Sequence, residues 1–231
     1  MVKLFAHRGF VAENILQNSI ASLKNAQKFG FDAVEFDIWF LNSRLVLKHD
    51  EPKAEEVNTL PVFRDYFCFG NEMEYWLDFK NLDEKNCDAA LLAVKKNLEE
   101  AAINLEQIYF APFVTNYKNA EIFFSRIRKI FGTKSKLMAV CEELKTDADV
   151  KILRDFLTQN DVRYLSILHK LIDENFVKIF SDIKIFAWTV NDQQRLQELE
   201  NLGITNFATD KITPNDYHGK TNLSRTQIAS S

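Results

Sequence analysis

Eight short apolar runs of strand composition alternate with segments of helical period along the 231 residues, and this alternation restricts the fold more than any other feature. The runs are KLFAH (3–7), AVEFDIWF (33–40), EYWLDFK (74–80), QIYFAPF (107–113), KLMAVCE (136–142), YLSILH (164–169), KIFAWTV (184–190) and NFATD (206–210). Between the first two, residues 18–30 are predicted as a helix, with Asn18 or Ser19 as cap, a stripe of Ile20, Leu23 and Ala26, and Gly30 as stop. Further helices are predicted over 83–101, 119–132, 147–160, 173–182 and 192–203, mostly opening on Asn or Asp. No G-x-G-x-x-G follows the first run, and eight alternations match closure. The predicted fold class is therefore α/β, a single (β/α)8 TIM barrel with a closed parallel sheet over residues 1–218. A polar tail follows over 219–231, with its last residues expected to be mobile.

The run AVEFDIWF places two carboxylates in an apolar strand. In a barrel, alternate side chains point inward, so Val34, Phe36 and Ile38 face the helices while Glu35 and Asp37 face the mouth. Two adjacent inward carboxylates need a cation, and these two residues alone leave arginine or lysine and a metal equally open. The third run repeats the interruption, with Trp76, Asp78 and Lys80 on one face, and sets Asp78 beside Asp37. Three oxygen ligands without clustered cysteines favour a divalent metal, Mg²⁺ or Ca²⁺, over zinc. Lys80 could bind a phosphoryl oxygen or partly neutralise the cluster. His7 closes the first run and His49 closes RLVLKHD, so two histidines flank the acidic cluster as a candidate acid–base pair. Arg8 can hold an anion bidentately.

The formal net charge of −4 argues against a general nucleic-acid or anionic-membrane partner. No stretch approaches the roughly 18 apolar residues of a membrane span, and MVKLFAHRGF lacks a secretory pattern. A cytoplasmic location without stable membrane insertion is expected. Cys68, Cys87 and Cys141 are odd in number and widely spaced, and are expected to be buried free thiols. The sequence says nothing of oligomeric state.

In order, HRG (7–9), EFD (35–37), HD (49–50), DFK (78–80) and WTVN (188–191) resemble the motifs of the glycerophosphodiester phosphodiesterase family, within the phosphatidylinositol-phosphodiesterase-like superfamily. LGITNFATDKITP (202–214) resembles its last βα unit. The resemblance implies a barrel phosphodiesterase hydrolysing a small glycerophosphodiester to glycerol phosphate and an alcohol. It also implies Glu35, Asp37 and Asp78 on the metal, His7 and His49 as the acid–base pair, Arg8 and Lys80 on phosphate, and Trp188 lining the substrate pocket. Two other readings keep the same barrel: a phospholipase-like lipid phosphodiesterase, and an inactive glycerophosphate-binding protein.

Three departures from the family pattern stand out. Gln17-Asn18-Ser19 replaces the usual Glu-Asn-Thr, with Glu13-Asn14 nearby as a candidate substitute; Asp78 replaces a glutamate; and the segment after His49 leaves room for one helix, about 61–69, where the family inserts a small subdomain. Outside the motifs, Glu142 and Glu143 end the fifth run and one of them is a candidate for a substrate hydroxyl or amine. His169 reads as structural, and His218 lies in the polar, weakly patterned stretch after Pro214.

Overall fold

The computed structural model describes residues 1–11 and 14–217, so Glu13, His218 and the tail at 219–231 lie outside the described residues. The elements are β1 (Lys3–Ala6), α1 (Ile20–Lys28), β2 (Ala33–Leu41), β3 (Arg44–Leu47), β4 (Glu74–Phe79), α2 (Cys87–Glu100), β5 (Ile108–Pro112), α3 (Tyr117–Phe131), β6 (Lys136–Cys141), α4 (Asp147–Gln159), β7 (Tyr164–Leu168), α5 (Glu174–Ile179), β8 (Lys184–Trp188), α6 (Gln193–Asn201) and β9 (Asn206–Thr209). Strands β1, β2 and β4 to β9 are parallel neighbours, and the pairing of Ala6 with Val34 closes them into the expected (β/α)8 barrel.

The ninth strand, β3, is an addition. It runs antiparallel to the outer half of β2, from Ile38 opposite Leu47 to Leu41 opposite Arg44. Asn42 and Ser43 make the two-residue turn with φ of 49° and 60°, the left-handed pair a tight hairpin needs.

Each barrel strand buries both faces. Val34, Phe36 and Ile38 pack outward in the larger core with Leu23 and Ala26 of α1 and Leu91 and Val94 of α2. Inside, Phe5, Trp76, Tyr109, Met138 and Phe186 fill the barrel, with the Phe186 ring 5.5 Å from Phe5, 5.9 Å from Trp76 and 5.1 Å from Tyr109. The interior is thus a packed floor beneath the C-terminal strand ends.

Helix ends follow the sequence. Ser19 caps α1 in a capping box with Ser22, and Asn116, Asp173 and Asp192 cap α3, α5 and α6. In the short segment between β3 and β4, a 3₁₀ turn at Phe63–Phe67 stands where a helix over 61–69 was expected. Its rings lie against the outer barrel wall, Tyr66 on Phe36 at 4.7 Å and Phe67 on Tyr75 at 4.9 Å. This segment therefore fills a place in the helix layer instead of covering the mouth.

All three cysteines are free; Cys87 and Cys141 are buried as expected, but Cys68 is exposed, because it leaves the 3₁₀ turn just after its buried face ends. Among the described residues no helix is long and apolar enough to cross a membrane.

Candidate active site

The sheet ladder carries one residue past β1: the His7 amide donates to the Thr209 carbonyl at 3.0 Å. That bond sets His7 beside the first residue after β9, and His7 Nδ1 lies 2.8 Å from Asp210 Oδ1. Asn191 donates to Asp210 Oδ2 at 2.8 Å, while its own amide oxygen accepts from the Asp210 backbone at 2.8 Å and from Thr209 Oγ1 at 3.2 Å. Burial acts to raise the Asp210 carboxyl, but the hydrogen bond and charge of His7 and the Asn191 amide hold it below its ordinary range. A carboxylate on Nδ1 assigns the proton there and leaves Nε2 for chemistry, on the side where Glu35 Oε2 lies at 3.9 Å.

The turn after His7 depends on one glycine. Arg8 and Gly9 both adopt left-handed backbone, φ 57° and 74°, and a Cβ on Gly9 would sit 2.3 Å from Ser22 Oγ and 2.8 Å from the Ser22 carbonyl carbon. Packed this tightly on α1, the turn points the Arg8 amide at Glu35 Oε2, 2.9 Å away. Gly9→Ala is expected to cost about 1–3 kcal/mol, and hence to lower the thermal midpoint by roughly 2–12 °C, measured by thermal denaturation.

Glu35 and Asp37 point inward from β2, and Asp37 is the register partner of Asp78 on β4. All three are buried, and one oxygen from each lies within 4.8 Å of the others. Asp37 is held on every side: Arg8 Nε stands 3.0 Å from Oδ2, Lys80 Nζ 2.7 Å from Oδ1, and Asn18 donates to Oδ2 at 2.7 Å while accepting the Asp37 amide at 3.1 Å. Asn18 is itself buried, with φ 54° and its carbonyl accepting from the Tyr66 hydroxyl. Lys80 Nζ also reaches Asp78 Oδ2 at 2.7 Å, but among the described residues the buried Asp78 Oδ1 has no hydrogen-bond partner.

Two cations therefore face three buried carboxylates. Burial, then the charges of Asp37 and Asp78, push Glu35 well above the usual carboxylate range. Burial with a contribution from Asp37 raises Asp78 to about 7 against the pull of Lys80. Burial alone would lower Lys80, yet Asp78, Asp37 and Glu35 together hold it above its ordinary value.

An uncompensated negative charge and an orphaned buried carboxylate oxygen suit a hard divalent cation bound through oxygen. They also set a pH dependence. A carboxyl raised in the folded state binds its proton more tightly there than in the unfolded chain, so ionising it costs stability. The penalty is absent below the unfolded value of about 4 and present once Asp78 ionises above about 7. The metal-stripped protein is expected to lose thermal stability as pH rises through this window. Added Ca²⁺ or Mg²⁺ is expected to raise the melting midpoint more at pH 8 than at pH 5, as calorimetric scans at both values would register.

His49 arrives by way of β3. The Lys48 amide donates to Asp37 O at 3.3 Å and Trp39 Nε1 to Lys48 O at 2.9 Å, which returns the chain over the strand carrying the carboxylates. His49 Nδ1 lies 2.7 Å from Asp50 Oδ1. The eight side chains singled out in the sequence, His7, Arg8, Glu35, Asp37, His49, Asp78, Lys80 and Trp188, all line one small, partly open pocket. Trp76, Phe113, Val140 and Glu142 complete its wall.

Other residues sort differently. Gln17, standing where a carboxylate is usual, accepts from Arg8 Nη1 at 3.1 Å and so still steadies that arginine. Glu143 pairs with Lys145 at 3.0 Å, and His169 opens a 3₁₀ turn after β7 without lining the pocket. Asp210, Asn191 and Asn18 were not predicted as site residues, although TDK and WTVN carried the first two in plain view.

No family model matches the sequence, and a search of curated proteins returns no match. Among solved structures, the chain is similar to a glycerophosphodiester phosphodiesterase from Parabacteroides distasonis, at 22% identity over 97% of this chain and 98% of that one, with a TM-score of 0.73. It is similar to an Oleispira antarctica phosphodiesterase in complex with the product sn-glycerol-3-phosphate, at 18% identity over 90% and 92%, TM-score 0.71. A calcium-dependent phosphoinositol-specific phospholipase C from a Pseudomonas species matches at 9% identity over 91% and 89%, TM-score 0.57. At these identities the likeness is one of fold, and it runs over nearly the whole length of each chain.

Proposed function

We propose that the chain is a metal-dependent phosphodiesterase that hydrolyses a small glycerophosphodiester to glycerol phosphate and an alcohol. One observation carries the reading: Glu35, Asp37 and Asp78 converge inside a pocket that His7 and His49 also line. The likeness in fold to phosphodiesterases, one of them bound to sn-glycerol-3-phosphate, supports it.

Glu35, Asp37 and Asp78 would hold the divalent ion, Mg²⁺ or Ca²⁺. Such an ion, when bound, supplies positive charge against the phosphoryl oxygens and lowers the pKa of an oxygen nucleophile. Arg8 and Lys80 are the protein's own cations beside the phosphate. His7, with Nδ1 fixed by Asp210, offers Nε2 to take the nucleophile's proton. His49, steadied by Asp50, gives a proton to the departing alkoxide, so the phosphorus–oxygen bond to the alcohol breaks without releasing a free alkoxide.

The test is product release from a panel of soluble glycerophosphodiesters with Mg²⁺, Ca²⁺ and Mn²⁺, read as glycerol phosphate and free alcohol. Equal amounts of the two products are expected. Faster turnover of vesicle lipids would favour the lipid-cleaving reading, and cation binding without turnover of any diester would favour a binding protein. Among the described residues, Val11 and Leu16 are the exposed large apolar side chains of the β1–α1 loop, and two such side chains fall short of a bilayer-docking patch.

A further inference from the structure

Each polar group of Asn18 has a partner, and three of the four contacts lead into the acidic site. Its backbone N–H donates to Arg8 O at 2.8 Å, its side-chain oxygen accepts the Asp37 amide at 3.1 Å, and its side-chain nitrogen donates to Asp37 Oδ2 at 2.7 Å. The last two bonds close a ring on Asp37 that fixes the plane of its carboxylate. The fourth contact leads the other way. The Asn18 carbonyl accepts from the Tyr66 hydroxyl, in the 3₁₀ turn of the short segment between β3 and β4.

Tyr66 is suited to hold that end. Its side chain is fully buried and its ring packs edge-on to Phe36, the outward residue between Glu35 and Asp37 on β2, with centroids 4.7 Å apart. Burial, with the charge of Asp65, pushes the hydroxyl above its ordinary range, so it stays a donor. Asn18 is 3% exposed and left-handed at φ 54°, so a carbonyl stripped of this donor would find no water in exchange. The cost would fall on a residue already in an uncommon conformation. Asp37 stands beside two further buried carboxylates that repel it, and a loosened Asn18 would leave it free to turn.

We infer that Tyr66 is a positioning residue for the divalent ion: from behind the barrel wall its hydroxyl fixes Asn18, and Asn18 fixes the Asp37 carboxylate. The short segment after β3 thus reaches the site through the wall, without entering the mouth. This inference rests on Glu35, Asp37 and Asp78 being the metal ligands, and it adds the residue that holds one of them in place.

The experiment measures Ca²⁺ binding to the chelator-stripped protein by titration calorimetry, together with the thermal midpoint, in the wild type and in Tyr66→Phe, Tyr75→Phe, Asn18→Gly and the Tyr66→Phe/Asn18→Gly double variant. Tyr75→Phe is the control, since it removes another buried hydroxyl of the same outer layer, bonded to Gly70 O at 2.9 Å and not to Asn18. Tyr66→Phe is expected to weaken Ca²⁺ binding about tenfold, and Asn18→Gly, which keeps the left-handed backbone but releases Asp37, by about 10–100-fold. Tyr75→Phe is expected to lower the midpoint as Tyr66→Phe does, yet to bind Ca²⁺ within about twofold of the wild type. If Tyr66 acts through Asn18, the double variant binds no more weakly than Asn18→Gly alone. Wild-type affinity in Tyr66→Phe, an equal loss in Tyr75→Phe, or losses that multiply in the double variant would each overturn the inference and leave the metal ligands as assigned. A wild-type protein that binds neither Ca²⁺ nor Mg²⁺ overturns both.

Discussion

Replacing His7 with alanine is expected to lower kcat for the preferred diester by about 10²–10⁴-fold, the usual worth of a positioned general base. The expectation comes from geometry. Asp210 occupies Nδ1, Asn191 fixes Asp210 through two hydrogen bonds, and Nε2 is the one imidazole nitrogen left to work. Asp210→Asn keeps the shape, but because Asn191 donates to the Oδ2 position the new amide NH2 faces His7 Nδ1 and reverses the tautomer, and a loss of about 10–10²-fold in kcat with little change in KM should follow. The double variant separates positioning from general damage. If Asp210 acts through His7, adding Asp210→Asn to His7→Ala lowers kcat no further, whereas independent structural roles would multiply. Steady-state kinetics of the four proteins decides between them.

Asp37→Asn is the second large effect. Asp37 is the hub of the acidic cluster, touched by Arg8, Lys80 and Asn18 and aligned with Asp78 across the β2–β4 pair. Its loss removes one of the three negative charges available to a cation and is expected to reduce kcat/KM by about 10³-fold or more, equivalent to several kcal/mol of charge stabilisation. Stability should move differently. Three buried carboxylates repel one another, so removing one relieves Glu35 and Asp78 even as it strips Lys80 of a partner. The variant is expected to stay folded, to melt with less pH dependence between 5 and 8, and to gain little from added Ca²⁺. A variant that simply fails to fold would show none of this pattern, and thermal scans with and without the ion distinguish the two.

Much of this arrangement was legible in the chain because barrel strands obey a strict inside–outside alternation. Once AVEFDIWF was read as a strand, Glu35 and Asp37 had to share a face, and the same rule on EYWLDFK brought Asp78 and Lys80 to meet them. What escaped depended on turns and loops. The β3 hairpin, which carries His49 back over β2, rests on two left-handed residues, and Asn42-Ser43 between FL and RL was its signal. Asn18 reads equally well as a helix cap. Only the fold shows that Ser19 takes the cap and frees Asn18 to grip Asp37.

Asp210 and Asn191, although inside quoted motifs, were not assigned to the site for another reason. They lie 203 and 184 residues from His7, and closure of β9 on β1 is what brings them to it. Gln17, noted in the sequence only as a departure from the family pattern, accepts from Arg8 through its amide oxygen. The short segment after β3 was read as room for one helix over 61–69; it forms a 3₁₀ turn instead, and its rings pack on the outer wall of β2 and β4.

The most direct test is the phosphodiesterase activity of the chelator-stripped protein as Ca²⁺ or Mg²⁺ is titrated back. With Glu35, Asp37 and Asp78 as the ligands of one ion, turnover should be absent in the stripped protein and return along a single-site curve. Full turnover after every divalent ion has been removed would contradict that assignment outright.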